Sequence, residues 1–174
     1  MIREISAGGV VLREMGGVWH IALIEPQKED LREAKAPAKR GRAVLCLPKG
    51  LVDAGEKAES AAVREVFEET GIVAESVTKL VDIRYTYVRS WGDGERVFKI
   101  VSFYLMKYLS GEIGAIADEM RIEVKRAVWV PLGDANKQMA YSGERKVVTQ
   151  AREHVSEYGL TAKRAGAPRE KFDA

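Results

Sequence analysis

Gly50-Leu51-Val52-Asp53-Ala54-Gly55-Glu56-Lys57-Ala58-Glu59-Ser60-Ala61-Ala62-Val63-Arg64-Glu65-Val66-Phe67-Glu68-Glu69-Thr70-Gly71-Ile72 reads as a loop that enters a helix. The glycines and Asp53 favour turns up to Glu56, and the spacing predicts a helix over Ala58 to Thr70. Gly71 can end it in the left-handed conformation that other residues adopt only at a cost. Each helical residue turns by about 100°. With Glu65 at zero, Glu68 falls near about 300° and Glu69 near about 40°. The three carboxylates therefore share a face. Val63, Val66 and Phe67 fall between about 100° and 200°, a separate apolar face expected to dock on a sheet. Arg64 is the only cation from Ala58 to Gly71, and it reaches Glu68 four residues on. Carboxylates this close repel one another and raise at least one pKa. Either solvent screens them, or they hold a hard divalent cation such as magnesium.

The flanks of the helix narrow that choice. A Gly, five residues, a Glu, seven residues, then R-E-U-x-E-E-x-G-U (U aliphatic) is the Nudix box. Gly50, Glu56, Arg64, Glu65, Val66, Glu68, Glu69, Gly71 and Ile72 fill all of its fixed places within 23 residues. The chain resembles the Nudix hydrolases from about Ile5 to Tyr158. That resemblance implies an α/β fold, a Nudix-type α/β/α sandwich with a mixed β-sheet. It implies Glu68 and Glu69 as principal magnesium ligands, with manganese a possible substitute. Glu65 is similar to a third ligand or a ligand of a metal-bound water, and the Gly50 carbonyl often completes the set. Arg64 resembles an orienting cation, and Glu56 a support for the loop; with Gly71 it belongs to the structural part of the box. The implied reaction is attack of water on a phosphorus of a nucleoside diphosphate derivative.

Outward from the box, Gly8 to Leu12 and Trp19 to Ile24 read as strands joined by a turn at Glu14-Met15-Gly16-Gly17. A third strand is expected over about Ala43 to Leu47, ended by Pro48 and Gly50. The charged stretch from Pro26 to Arg42 is longer than an ordinary connection. Its Lys35, Lys39, Arg40 and Arg42 either meet phosphates or are simply solvated. Val77 to Ser90 and Arg96 to Leu109 read as strands around the turn Trp91-Gly92-Asp93-Gly94, and Glu123 to Val130 as another. A last helix, Glu144 to Tyr158, has the apolar stripe Val147, Val148, Ala151, Val155 and Tyr158. One domain over residues 1–160 and a flexible polar tail over 161–174 are expected.

Composition restricts the alternatives. Apolar residues at 46% and charged residues at 31% describe a soluble globular chain. The net charge of +2 does not suggest a general nucleic-acid binder. No apolar run is long enough for a bilayer, and Met1-Ile2-Arg3-Glu4-Ile5 lacks a signal-peptide layout, so a cytoplasmic location is expected. The single Cys46 permits no internal disulfide and reads as a small buried hydrophobe. His20 and His154 are the only histidines, which argues against a histidine-rich zinc site.

The substrate is read from softer features. Leu47-Pro48-Lys49-Gly50 is similar to the L-P-K-G entry of Nudix enzymes acting on dinucleoside polyphosphates, diphosphoinositol phosphates or RNA 5′ ends. Lys49 is either a point charge beside a polyphosphate or an exposed lysine. Leu45 stands where many of these relatives have Trp, and Leu51 where many have His. Tyr141-Ser142-Gly143-Glu144-Arg145 resembles a stretch whose Arg can face phosphates; Arg145 either does so or belongs to a plain helix start. Tyr85, Tyr87, Arg89 and Trp91 share a strand face and either stack on a base or cover the sheet. Glu119, with Glu123 next, is the candidate general base. The first expectation is a small-molecule dinucleoside polyphosphate such as diadenosine tetraphosphate. An RNA 5′ end, ADP-ribose or a nucleotide sugar, and an oxidised nucleoside triphosphate follow. A ligand sensor built on the same fold commonly loses box carboxylates, which this chain keeps.

Overall fold

Two glycines with positive φ, Gly16 (59°) and Gly17 (76°), close a hairpin between β1 (Ile2–Met15) and β2 (Val18–Pro26), the sign pattern that matches the twist of the flanking strands. The computed structural model describes residues 1–27, 44–89, 92 and 94–162. In chain order there follow β3 (Lys49–Leu51), α1 (Ala58–Thr70), β4 (Val73–Val88), β5 (Arg96–Ser110), a 3-10 turn (Asp118–Ile122), β6 (Val124–Pro131), α2 (Ala135–Gln138) and α3 (Ser142–Tyr158). The sheet order is β4-β5-β1-β2-β6, with β3 on the N-terminal half of β1. β1 runs parallel to β5 and antiparallel to β2 and β3, so the sheet is mixed, as expected.

β1 separates two cores because its side chains alternate. Val10 and Leu12 join Phe103, Leu105, Val147, Val148 and Ala151 under α3. Ala7 and Val11 join Ala61, Ala62, Val66 and Met106 under α1. This is the expected α/β/α layering. Among the described residues, no helix is long and apolar enough to cross a membrane.

Helix α1 has the bounds read from the sequence. Gly71 ends it at φ 79°, its N–H donating to the Phe67 carbonyl at 2.8 Å. A Cβ at this position would stand 2.6 Å from the Ala115 carbonyl oxygen and 2.8 Å from that of Glu112. Left-handed strain and a backbone clash then act together. Gly71→Ala is expected to cost about 2–4 kcal/mol, read as a lower urea midpoint at unchanged slope.

Two expectations are corrected. Leu45 and Cys46 make only isolated bridges, to Met139 and Ile24, and the true strand lies at Lys49–Leu51. The proline and glycine do not end a strand; the short strand starts after Pro48 and runs through Gly50, pairing Ala7 with Gly50. Phe67 is 54% exposed instead of docked on the sheet. The buried sector of α1 holds Ala61, Ala62, Glu65, Val66, Glu69 and Thr70. Small alanines let the helix approach β1, where a Cβ at Gly9 would meet Val66 at 2.7 Å. The carboxylate side therefore turns inward, and Phe67, beyond Val66 on the wheel, turns out. The expected tail beyond residue 162, the loop cations Lys35, Lys39, Arg40 and Arg42, and Trp91 lie outside the described residues.

Candidate active site

Glu65 and Glu69 are 7% and 6% exposed, while the Glu68 side chain is 38% exposed. Burying two carboxylates one turn apart needs partners. Gly50 supplies the space: a Cβ there would collide with the Glu65 carboxylate, so only glycine lets the strand backbone lie against it. The Lys49 N–H donates to Glu69 Oε2 at 2.9 Å. Burial pushes the Glu69 carboxyl up to about 8, against the opposing pull of the Lys49 ammonium and N–H. Burial also raises Glu65, opposed by Arg64 and assisted by the charges of Glu68 and Glu123.

Arg64 links the acidic face to the loop before it. Nε and one terminal nitrogen form a fork on Glu56, each at 2.9 Å. The other terminal nitrogen donates to Glu65 at 2.8 Å and Glu68 at 3.2 Å, and the terminal nitrogen of the fork also donates to the Leu51 carbonyl at 3.0 Å. The Asp53 N–H adds a bond to Glu56 at 3.0 Å. The hydrogen bonds from Arg64 hold the Glu56 carboxyl down at about 2. Its folded value lies below the ordinary 4.5, so its contribution is present above about pH 4.5 and is lost as pH falls through about 2. Glu56→Gln is therefore expected to flatten the acid limb of a stability–pH curve between pH 4.5 and 2, and chemical melts at stepped pH would check it.

As they stand, no three acidic, histidine or cysteine side chains among the described residues converge closely enough to hold an ion. The Arg64 guanidinium lies between Glu65 and Glu68. The donor set nevertheless suits magnesium: hard carboxylate oxygens on one helix face, two of the three carboxylates buried, beside the backbone of Gly50. Glu65, Glu68, Glu69 and the Gly50 carbonyl are the groups that could hold it.

The other sequence candidates are placed as follows. Glu119 lies in the exposed 3-10 turn and makes no hydrogen bond or ion pair with the described residues. Glu123, at the end of that turn, is near enough that its charge raises both Glu65 and Glu69. The Lys49 ammonium pairs with Glu144 at 3.0 Å and lies 5.9 Å from the Tyr141 ring centre. Burial disfavours this ammonium, but the charges of Glu144, Cys46 and Glu69 outweigh it and keep it protonated well above the ordinary lysine value. Tyr85 is 42% exposed, 6.2 Å from Tyr87 between ring centres, and close enough to influence Tyr141, whose hydroxyl burial pushes up to about 12. Tyr87 and Arg89 both donate to Glu4, at 2.9 and 2.8 Å. Arg145 donates to the carbonyls of Met139 and Ala140, each at 3.0 Å, which ties the start of α3 to the chain before it. The Lys49–Glu144 pair was not foreseen. Its partners are 95 residues apart, and Glu144 reads from sequence only as a first-turn charge.

A sequence model described as the NUDIX domain matches residues 3–151. The chain is 37% identical over 158 residues (87% of it) to a protein of Mycobacterium tuberculosis (strain CDC 1551 / Oshkosh) that carries the name mutator protein MutT4. It is 35% identical over 102 residues (59% of it) to the 8-oxo-(d)GTP phosphatase of Mycolicibacterium smegmatis. The aligned part spans 56% and 28% of those two relatives' own lengths. Among solved structures, a C. elegans Ap4A hydrolase binary complex superposes with TM-score 0.65 at 22% identity, covering 89% of this chain and 99% of that one, a likeness of fold.

Proposed function

The chain belongs to the Nudix family, and on that premise we propose that it is a magnesium-dependent hydrolase of a pyrophosphate bond in a nucleoside diphosphate derivative. The observation that carries this reading is the pair of buried carboxylates Glu65 and Glu69, packed against the Lys49–Gly50 backbone and balanced by Arg64 alone among the cations of α1. Magnesium, when bound, neutralises phosphate oxygens and lowers the pKa of water. Glu65, Glu68, Glu69 and the Gly50 carbonyl hold it, and Arg64 fixes the carboxylates of the first two. Glu123 is the favoured acceptor of the water proton, ahead of Glu119, because its charge reaches the acidic face. Tyr85 and Tyr141 offer aromatic surface for a base, and Lys49 a charge at the edge of the site.

Dinucleoside polyphosphates are the first substrate class, on the L-P-K-G segment. Oxidised nucleoside triphosphates are the second reading, favoured by the identity to a relative named 8-oxo-(d)GTP phosphatase. A panel with magnesium tests both: diadenosine tetraphosphate, 8-oxo-dGTP, ADP-ribose, a nucleotide sugar and 5′-triphosphate RNA. The expected result is fastest turnover of the first. Faster turnover of 8-oxo-dGTP establishes the second reading. Tight binding of any of them with no turnover of all leaves a ligand sensor and overturns the hydrolase.

A further inference from the structure

Glu144 lies in the first turn of α3, where a carboxylate is ordinarily solvated and favoured by the helix dipole. Here it is 3% exposed. Its two oxygens are divided between neighbouring points of one segment. Oε2 accepts the Leu47 N–H at 2.8 Å, and Oε1 meets the Lys49 ammonium at 3.0 Å. The Lys49 N–H in turn donates to Glu69 at 2.9 Å, and the next residue, Gly50, lies against the Glu65 carboxylate. Helices α1 and α3 cover opposite faces of the sheet. The segment from Leu47 to Gly50 is thus held from α3 on one side and carries the acidic face of α1 on the other.

We propose that Glu144 is a positioning residue for the divalent cation: through Leu47 and Lys49 it fixes the Glu69 carboxylate and the Gly50 carbonyl, and it rests on the metal reading above. A surface charge at a helix start needs neither burial nor two partners. A clamp needs both, because each oxygen removes one freedom of the segment. Loss of the Glu144 charge leaves the Lys49 ammonium partly buried without the carboxylate it pairs with directly. The segment then moves toward solvent and takes the N–H partner of Glu69 with it. Partners behind metal ligands typically change metal affinity about 10–100-fold. Nucleotide binding at saturating metal is affected far less.

The full chain, Glu144→Gln and the double variant Lys49→Met with Glu144→Gln test this. Four quantities are read: Mn²⁺ affinity by electron paramagnetic resonance, hydrogen exchange of the Lys49 amide in metal-free protein, nucleotide KM at saturating metal, and thermal stability. Glu144→Gln is expected to bind Mn²⁺ about 10-fold more weakly, with faster Lys49 exchange and nearly unchanged nucleotide KM at saturating metal. The double variant recovers most of the Mn²⁺ affinity, since Gln still accepts the Leu47 N–H and no unpaired ammonium remains. Unchanged Mn²⁺ affinity with a raised KM overturns the proposal in favour of substrate contact. Lower thermal stability with unchanged Mn²⁺ affinity and Lys49 exchange overturns it in favour of packing alone. If Glu144→Gln does not fold, the double variant decides, and Mn²⁺ affinity far below the parent's sinks the idea. Failure of the unsubstituted chain to bind Mn²⁺ overturns the metal reading and this proposal with it, whereas binding there isolates the role of Glu144.

Discussion

Glu69→Gln is expected to yield a protein that is more stable without metal and nearly inactive with it. The two signs have one cause. Glu69 is 6% exposed, and burial pushes its carboxyl to about 8 from an ordinary 4.5. A raised folded value means that the native state holds the proton more tightly than the unfolded chain. The stabilising contribution of that proton is full below about pH 4.5 and is lost as pH rises through about 8. Gln carries no charge and still accepts the Lys49 N–H, so the metal-free variant should melt higher than its parent, by a margin that grows from pH 6 to 8.5. Activity moves the other way. A metal supplies several kcal/mol of charge stabilisation, and each ~1.4 kcal/mol is tenfold in rate, so kcat should fall on the order of 10²–10⁴-fold. Melting curves in chelator at the two pH values, beside kcat in saturating magnesium, check both. Equal melting at pH 8.5, or turnover within tenfold of the parent, would show that Glu69 is not the buried metal carboxylate described above.

The same burial shows how far the sequence could be read. Helix α1 was legible to the residue because both ends carry local chemistry: turn formers up to Glu56 and a left-handed Gly71. The layering was legible through the resemblance that the Nudix box carries, and α3 through its apolar stripe. The orientation of α1 was not. Apolar content pointed to Val66 and Phe67 as its docking face, but packing distance decided it. Ala58, Ala61 and Ala62 lie within about 60° of Glu65 on the wheel, and that run of small side chains was the available sign that the carboxylate sector faces inward. The strand expected over Ala43 to Leu47 failed for a related reason. Leu45, Cys46 and Leu47 are buried, but their backbones serve a connection, and the register that matters begins at Lys49 where glycine is needed beside Glu65. In the sequence Lys49 offers a point charge or an exposed lysine, and Arg145 a phosphate contact or a helix start. Their partners, Glu144 and the carbonyls of Met139 and Ala140, depend on where α3 crosses, which local pattern does not encode. The preference proposed for Glu123 over Glu119 rests on the nearness of Glu123 to Glu65 and Glu69, which comes from where the turn delivers the chain into β6.

Arg64→Lys is expected to be nearly as damaging as Arg64→Met, although it keeps the charge. A guanidinium has five N–H donors in a fixed plane. All five are used here: on Glu56 twice, on Glu65, on Glu68 and on the Leu51 carbonyl. An ammonium has three donors, no plane and no bidentate fork. It can satisfy Glu56 or the pair Glu65 and Glu68, but not both with the loop carbonyl. Hydrogen bonds to charged groups contribute about 1.5–3 kcal/mol each when well buried. The Arg64 side chain is 29% exposed, so solvent screening reduces the sum, and a net loss of about 2–3 kcal/mol is expected for either variant. For a chain of this size that corresponds to roughly 5–10 °C in Tm. Activity should fall further than stability implies, because Glu65 and Glu68 lose the group that fixes their direction; a drop of about 10–100-fold with a raised magnesium requirement is the expected result. The Arg64–Glu56 fork also fixes the coupling between the two residues. Once the fork is gone, Glu56 has little left to lose, so Glu56→Gln added to Arg64→Lys should cost much less than Glu56→Gln alone. Additive losses in that double-variant cycle would mean that Arg64 acts as a bare charge, and the planar fork would then have no part in organising the site.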